Sequence, residues 1–310
     1  MNCTTKPYKI KTERGSTYVE YKPKELPPLY MFLPVNIHTI EHFSTETLWG
    51  SVPSVFNDPF DSLGIVKEQE LKALLEKEYE KNPDLFDPTI PIETNIKEII
   101  ANTIKRFEAV RDNFVVSCFS PNITNAIMWG HYGRSGKGFA LEYSAEDLLK
   151  CADLYFEKFK NQNVKKMSFL SPVLYYDEPI NLTPVAIDLA KGLFETIRAK
   201  NEGRDYEYYL KDEFLFFNTI LTHKNCCWEY EEEYRLCVQN FGLFLRGENK
   251  KYIEIGHCKP TAIYLGANIA KDEEEILIRI ARDKSIPVYK MTAKILNDKY
   301  CLMGELKAIN

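Results

Sequence analysis

The sequence predicts a single α+β domain spanning residues 1–310, on three observations. The chain has 310 residues, 45% of them apolar and 13% aromatic, which is enough to bury a sizeable core and argues against disorder. Strand-like and helix-like stretches alternate too irregularly for a doubly wound sheet. No repeat, low-complexity tract or Gly/Ser linker divides the chain.

The elements follow in order. An extended stretch around Tyr18 to Tyr21 ends at Pro27-Pro28, and a short strand runs from Leu29 to Phe32. Ile37 to Phe43 reads as a helix leading to a strand at Thr47 to Ser51, where Trp49 favours a pleated surface. Asn57-Asp58-Pro59 punctuates, because Pro59 drives Asp58 out of the helical region and Asx side chains bond nearby amides. On this reading Phe56 and Phe60 plug the core. Lys67 to Asn82 and Glu93 to Arg111 carry 3.6-residue apolar spacing, together a helical insertion over 67–111.

Strands return at Phe114 to Phe119 and Gly138 to Tyr143. Ser144 with Asp147 resembles a capping box opening a helix to about Lys160. Pro172 to Tyr176 reads as one strand, Val185 to Lys200 and Asp205 to Thr222 as helices, and Tyr234 to Gln239 as a strand. Strand Ala262 to Leu265, helix Lys271 to Ala281 and strand Pro287 to Met291 complete the pattern.

Composition narrows the function classes. The net charge of −5 supplies no global field for nucleic acid or anionic lipid. No apolar run approaches the ~18 residues that span a bilayer, and Met1 to Gly15 lacks the apolar segment of a signal peptide. The expectation is a cytoplasmic protein with no membrane partner. The eight cysteines are scattered, contain no C-x-x-C pair and read as reduced thiols. His257 beside Cys258 has no further residue at ligand spacing, so no metal is assigned.

Four segments can carry chemistry. In Lys224 to Arg235, an extended reading puts Glu231, Glu233 and Arg235 on one face and Trp228, Tyr230, Tyr234 and Leu236 on the other. That ionic face is either a solvated surface or a pair of cleft carboxylates whose pKa values are driven apart by each other and by Arg235. In Met128 to Gly138, His131 and Gly138 stand where a P-loop needs Gly and Ser or Thr, which rejects Walker-type ATP binding. Its glycines, with Arg134 and Lys137, either form a backbone nest for a phosphate or merely connect two strands. Finally, Asp58 and Asp61 are either turn residues or, with Glu231 and Glu233, metal ligands of a nuclease. Ser117, in the buried strand Val115 to Ser120, faces either core or cleft.

In this order the segments resemble the bacterial family catalogued as domain of unknown function 2971. The resemblance runs through Leu29-Tyr30, Thr47 to Ser51, Phe56 to Asp61, Cys118-Phe-Ser120, Met128-Trp-Gly-His131-Tyr132, Gly138-Phe139 and the Lys224 to Arg235 block. The family often has a His just before its Lys-Gly pair, where this chain has Gly136. An aromatic on the first strand, a Ser-x-x-Ser strand and a late Glu-x-Glu also look like the organisation of ADP-ribosyltransferases, which implies a mixed sheet core with helical insertions and NAD as substrate. On that resemblance Glu233, Glu231, Tyr30 and Ser117 are the catalytic candidates. Glu233 would bond the nicotinamide ribose 2′-hydroxyl and steady the oxocarbenium ion, and Glu231 would orient or deprotonate the acceptor. Ser117 would orient the nicotinamide ribose and Tyr30 would touch the adenine-side ribose. His131, Arg134, Tyr132, Asn57, Trp129, Lys224 and Arg235 would hold NAD.

The acceptor, whether protein, nucleic acid or water, is not encoded legibly, and neither is the oligomeric state; a toxin or phage-defence effector suits the family. This reading expects Glu233→Gln to abolish NAD turnover with little change in melting temperature. Two other readings stand beside it: a ligand- or partner-binding module without catalysis, and a metal-dependent nuclease.

Overall fold

A computed structural model of the protein describes residues 8–13, 16–160, 166–206, 213–247 and 249–307. The chain runs through a hairpin, β1 (Tyr8–Glu13) and β2 (Ser16–Tyr21), into β3 (Leu29–Leu33), α1 (Ile37–Thr45), β4 (Thr47–Ser51) and β5 (Gly64–Ile65). Helices α2 (Glu68–Lys81) and α3 (Ile92–Val110) lead to β6 (Phe114–Phe119), the short α4 (Ala126–His131), β7 (Phe139–Tyr143), α5 (Ala145–Glu157), β8 (Ser168–Pro172), β9 (Leu174–Tyr176) and β10 (Ile180–Asn181). Then come α6 (Thr183–Asn201), α7 (Glu213–Leu221), β11 (His223–Asn225), β12 (Tyr234–Gln239), α8 (Phe241–Arg246), β13 (Tyr252–His257), β14 (Ala262–Leu265), α9 (Lys271–Asp283), β15 (Val288–Leu296) and β16 (Lys299–Lys307).

Local chemistry starts and stops these elements. Asn36 and Thr39 exchange side-chain and backbone bonds in a capping box at α1. Ser144 accepts from the Asp147 amide to open α5. Asp272, Glu273 and Glu274 place negative charge at the positive end of α9. Asn297 and Asp298, both at positive φ, make the two-residue reversal that joins β15 to β16.

The architecture is α+β, built on two five-stranded sheets. One, in the order β13-β4-β6-β12-β8, is antiparallel at every pairing. The other, β16-β15-β14-β7-β3, is antiparallel except where β14 runs parallel to β15 across the α9 connection. The sheets share a core of Leu29, Leu141, Tyr143, Phe119, Leu236 and their neighbours, and are joined where Tyr30 and Ser120 exchange backbone bonds at 2.8 and 2.9 Å. A second core lies on the other face of the first sheet, beneath α2, α3, α6 and α7. A third, aromatic cluster of Tyr30, Phe32, Met128 and Trp129 covers the other face of the second sheet. Among the described residues no helix is long and apolar enough to cross a membrane.

Several expectations are corrected. The stretch Pro172 to Tyr176 is two strands, because β8 pairs with β12 whereas β9 turns away to pair with β11. Of the helix expected over Asp205 to Thr222, Glu213–Leu221 is helical and Asp205 and Tyr206 are not, while 207–212 lie outside the described residues. Cys226–Glu231 is a 3-10 helix, not a strand. Phe60 is 76% exposed, so Phe56 alone of that pair packs inward.

Candidate functional site

The first sheet carries the ionic residues. Arg235 and Cys118 are cross-strand partners on β12 and β6 and therefore share a face, while Ser117 and Leu236 share the opposite one. Arg235 is fully buried, and its five N–H directions are all satisfied: Nε to Glu233 Oε1 at 2.8 Å, Nη1 to Asp61 Oδ1 and Leu221 O at 2.7 Å each, Nη2 to Asp61 Oδ2 at 2.6 Å and to Glu233 Oε2 at 3.0 Å. The face of Phe56 lies 5.2 Å from the guanidinium.

Lys224, on β11, is the second buried cation. Its Nζ sits 2.6 Å from Glu231 Oε2, 3.1 Å from Glu233 Oε2 and 3.7 Å from Asp61 Oδ2, with the Trp228 ring centroid at 4.9 Å. The two acids reach it by a route that alternation does not provide. The 3-10 turn ends at Glu231, and Glu232 takes the left-handed conformation at φ 48. That reversal sends Glu232 outward to Asn122 at 3.1 Å and turns both flanking carboxylates inward, 2% and 5% exposed. The solvated-surface reading of these residues is thereby overturned.

The glycine segment supplies the other wall. Asn125 caps α4 and donates to Tyr230 O at 2.5 Å, tying the helix to the 3-10 turn. Tyr132, just past α4, donates its hydroxyl to Glu231 Oε1 at 2.6 Å and accepts from Asn57 Nδ2 at 3.0 Å. Exposed His131 lies 5.9 Å from the Tyr230 ring, centroid to centroid. The loop bearing Asn57 is pinned at its far end by the Asp61–Arg235 pair, and Asp58 within it accepts from the Phe60 amide as a turn residue should.

Three carboxylates and two cations share this region, and the imbalance falls on Glu231. Burial, and then the Glu233 charge, raise its pKa against the pull of Lys224. Burial also pushes Glu233 upward, but Arg235 and Lys224 outweigh it and hold that carboxyl at about 2. Burial alone would lower Lys224; the three acids raise it instead. The hydroxyls of Tyr132 and Tyr175 are pushed up by burial and by the same acids, and the Tyr175 oxygen accepts the Glu233 amide at 2.8 Å. Cys118 is raised by burial and by Glu233.

The structure thus brings together Glu231, Glu233, Lys224, Arg235, Tyr132 and Asn57, with His131 at the rim. Ser117 lies on the other side of β6, donating to Trp49 O at 2.8 Å. Trp129 is a buried anchor, its Nε1 bonded to Ile123 O at 2.7 Å. Tyr30 belongs to the aromatic cluster that also contacts Tyr132 and Tyr230; its hydroxyl meets Tyr264 and Glu142, and burial followed by Glu142 raises it to about 12. Arg134 is exposed on the glycine turn at φ 50. No sequence signal marks Asp61 as the partner of Arg235 or Tyr175 as the partner of Glu233; by sequence Asp61 reads only as a turn or metal residue.

Two further expectations are corrected. The amides of Gly133, Ser135, Gly136, Lys137 and Gly138 donate to backbone carbonyls within the segment, so they form no phosphate nest. Gly138 is there for close packing instead, since a Cβ would stand 2.2 Å from Leu33 O. The nuclease reading fails on its donor set, because the carboxylates converge on the Lys224 ammonium and the Arg235 guanidinium, and among the described residues no three His, Cys, Asp or Glu are arranged to hold a metal.

No curated protein and no solved structure matches the chain. Residues 128–236, the segment that carries Tyr132, Lys224, Glu231, Glu233 and Arg235, match the family described as Protein of unknown function (DUF2971).

Proposed function

We propose that the chain acts on NAD, as an ADP-ribosyltransferase or NAD-cleaving effector, with Glu231 as its reacting carboxylate. The observation that carries this reading is the odd charge: of the two glutamates on Lys224, Glu231 is the one whose pKa is raised, and the half-buried hydroxyl of Tyr132 and exposed Asn57 connect it to solvent. Glu233 is the weaker candidate for a ribose contact, since both its oxygens are held by Arg235 and Lys224. In the proposed reaction the bond between the ribose carbon and nicotinamide breaks with its electron pair leaving on nicotinamide. Positive charge develops on the ribose, and ionised Glu231 stabilises it more than it stabilises NAD. Glu231 then takes the proton of the acceptor, a macromolecule or water, as the new bond to the ribose carbon forms. A toxin or phage-defence role in a bacterial cytoplasm would suit such a reaction.

The test is NAD consumption by purified protein with cell extract as acceptor source. Wild type should release nicotinamide, and Glu231→Gln should lower the rate about a hundredfold. Wild type that neither binds nor consumes NAD overturns the reading. A second reading, a ligand- or partner-binding module, is favoured by the complete engagement of Arg235 with Glu233 and Asp61. It predicts saturable ligand or partner binding with no turnover.

A further inference from the structure

The hairpin β15–β16 runs well past its sheet. β14 pairs with β15 only over Val288–Lys290, yet the two strands continue to the Asn297–Asp298 turn. β16 is therefore a nine-residue strand at a sheet edge, with one side of its backbone unpaired among the described residues. Edges of this length are usually blunted by proline, a bulge or a central charge. Here none interrupts Tyr300-Cys-Leu-Met-Gly304, and charges stand only outside that run, at Lys299, Glu305 and Lys307.

Its exposed side chains are the wrong ones for a free edge. Tyr300 is 94% exposed and Leu306 68% exposed; Ile295, opposite Tyr300 on β15, is 69% exposed. Tyr300, Leu302, Gly304 and Leu306 share one face by alternation, and Leu302 contacts the aromatic cluster. At Gly304 an added Cβ would meet Tyr264 at 3.1 Å, so the ring of Tyr264 lies where that residue's side chain would be.

We propose that β16 is the interface of a homodimer, in which it pairs antiparallel with β16 of a second copy about a two-fold axis at Leu302. Charge complementarity selects this register. It sets Lys299 opposite Glu305 of the second copy, and the symmetry repeats the pair at the other end. It also sets Tyr300 opposite Gly304 of the second copy, where its ring covers the glycine beside Tyr264, as cross-strand aromatics do for edge glycines. A register centred one residue later, on Met303, would oppose Lys299 and Lys307 and is disfavoured by like charge. The pairing runs from Lys299 to Glu305 and is about 24 Å long at ~3.4 Å per residue, a small interface. The dimer is accordingly concentration-dependent.

Sedimentation equilibrium of the full chain over a micromolar series tests this. Wild type should pass from the mass of one chain to twice that mass. K299E and E305K, each placing like charges together twice, should stay at the monomer mass in the same range. Their equimolar mixture should recover the doubled mass, because each variant then supplies the charge the other lacks. The intramolecular Lys294–Glu305 pair lost in E305K is exposed and contributes little. Wild type that is monomeric throughout, single variants that dimerise like wild type, or a mixture that stays monomeric would each overturn the proposal.

Discussion

Replacing Glu233 with Gln removes the carboxylate that Arg235 and Lys224 share, and the structure sets the size of the loss. Three charged contacts, at 2.8, 3.0 and 3.1 Å, converge on its two oxygens. The two cations outweigh burial and hold the carboxyl at about 2, against 4.5 for an unperturbed glutamate. That gap corresponds to about 3 kcal/mol at neutral pH. It agrees with the ~3–5 kcal/mol typical of removing one partner from a buried pair. For 310 residues, at ~2.1 cal/mol/K of unfolding entropy each, Tm should fall by about 5 °C. The expectation that this substitution spares the melting temperature is therefore revised, because the residue is buried in an ion network and not displayed on a strand face. The pH window follows from the sign: a carboxyl depressed in the folded chain contributes fully above pH 4.5, and the contribution is lost as pH falls toward 2. Urea midpoints of wild type and variant should differ most at pH 7, with equal m-values, and by less than half as much near pH 3. A pH 7 difference below about 0.5 kcal/mol would refute the assignment of Glu233 as the shared counter-ion.

Tyr132→Phe deletes the hydroxyl that donates to Glu231 at 2.6 Å and favours its charged form, so the Glu231 pKa should rise further. The acid limb of NAD turnover should move to higher pH, with about 1 kcal/mol of stability lost; an unmoved limb would remove Tyr132 from the site. His42 is buried against Tyr143, and burial lowers it to about 4. The folded chain resists its protonation, so stability is complete above pH 6.5 and falls by about 3 kcal/mol as pH drops to 4. His42→Gln should flatten the stability profile across that window; an unchanged slope would count against it.

What the sequence made legible was what a few adjacent residues decide. The Ser144 cap, the short apolar run of β3 and the apolar spacing of α2 and α3 are each written in one continuous stretch of chain. Of the residues the sequence singles out, Glu231, Glu233, Lys224, Arg235, Tyr132 and Asn57 do meet. The roles within it were not. Asp61 is 174 residues from Arg235 along the chain, and no local pattern ties a turn aspartate to that guanidinium. The glycine segment shows the same limit, because whether its amides are free for a phosphate depends on which carbonyls they find after folding, and they find their own. Most instructive are the two glutamates. In sequence they are interchangeable members of one acidic run, and alternation brings them to one face for a reason the structure does not use. What separates them is a count of partners: Glu233 is held by both Arg235 and Lys224, whereas Glu231 has Lys224 and a tyrosine hydroxyl, so burial and the Glu233 charge raise the one while the two cations lower the other. The chemical role we propose for Glu231 rests on the surplus charge of a buried network, and that surplus exists only once the two distant cations and Asp61 are in place.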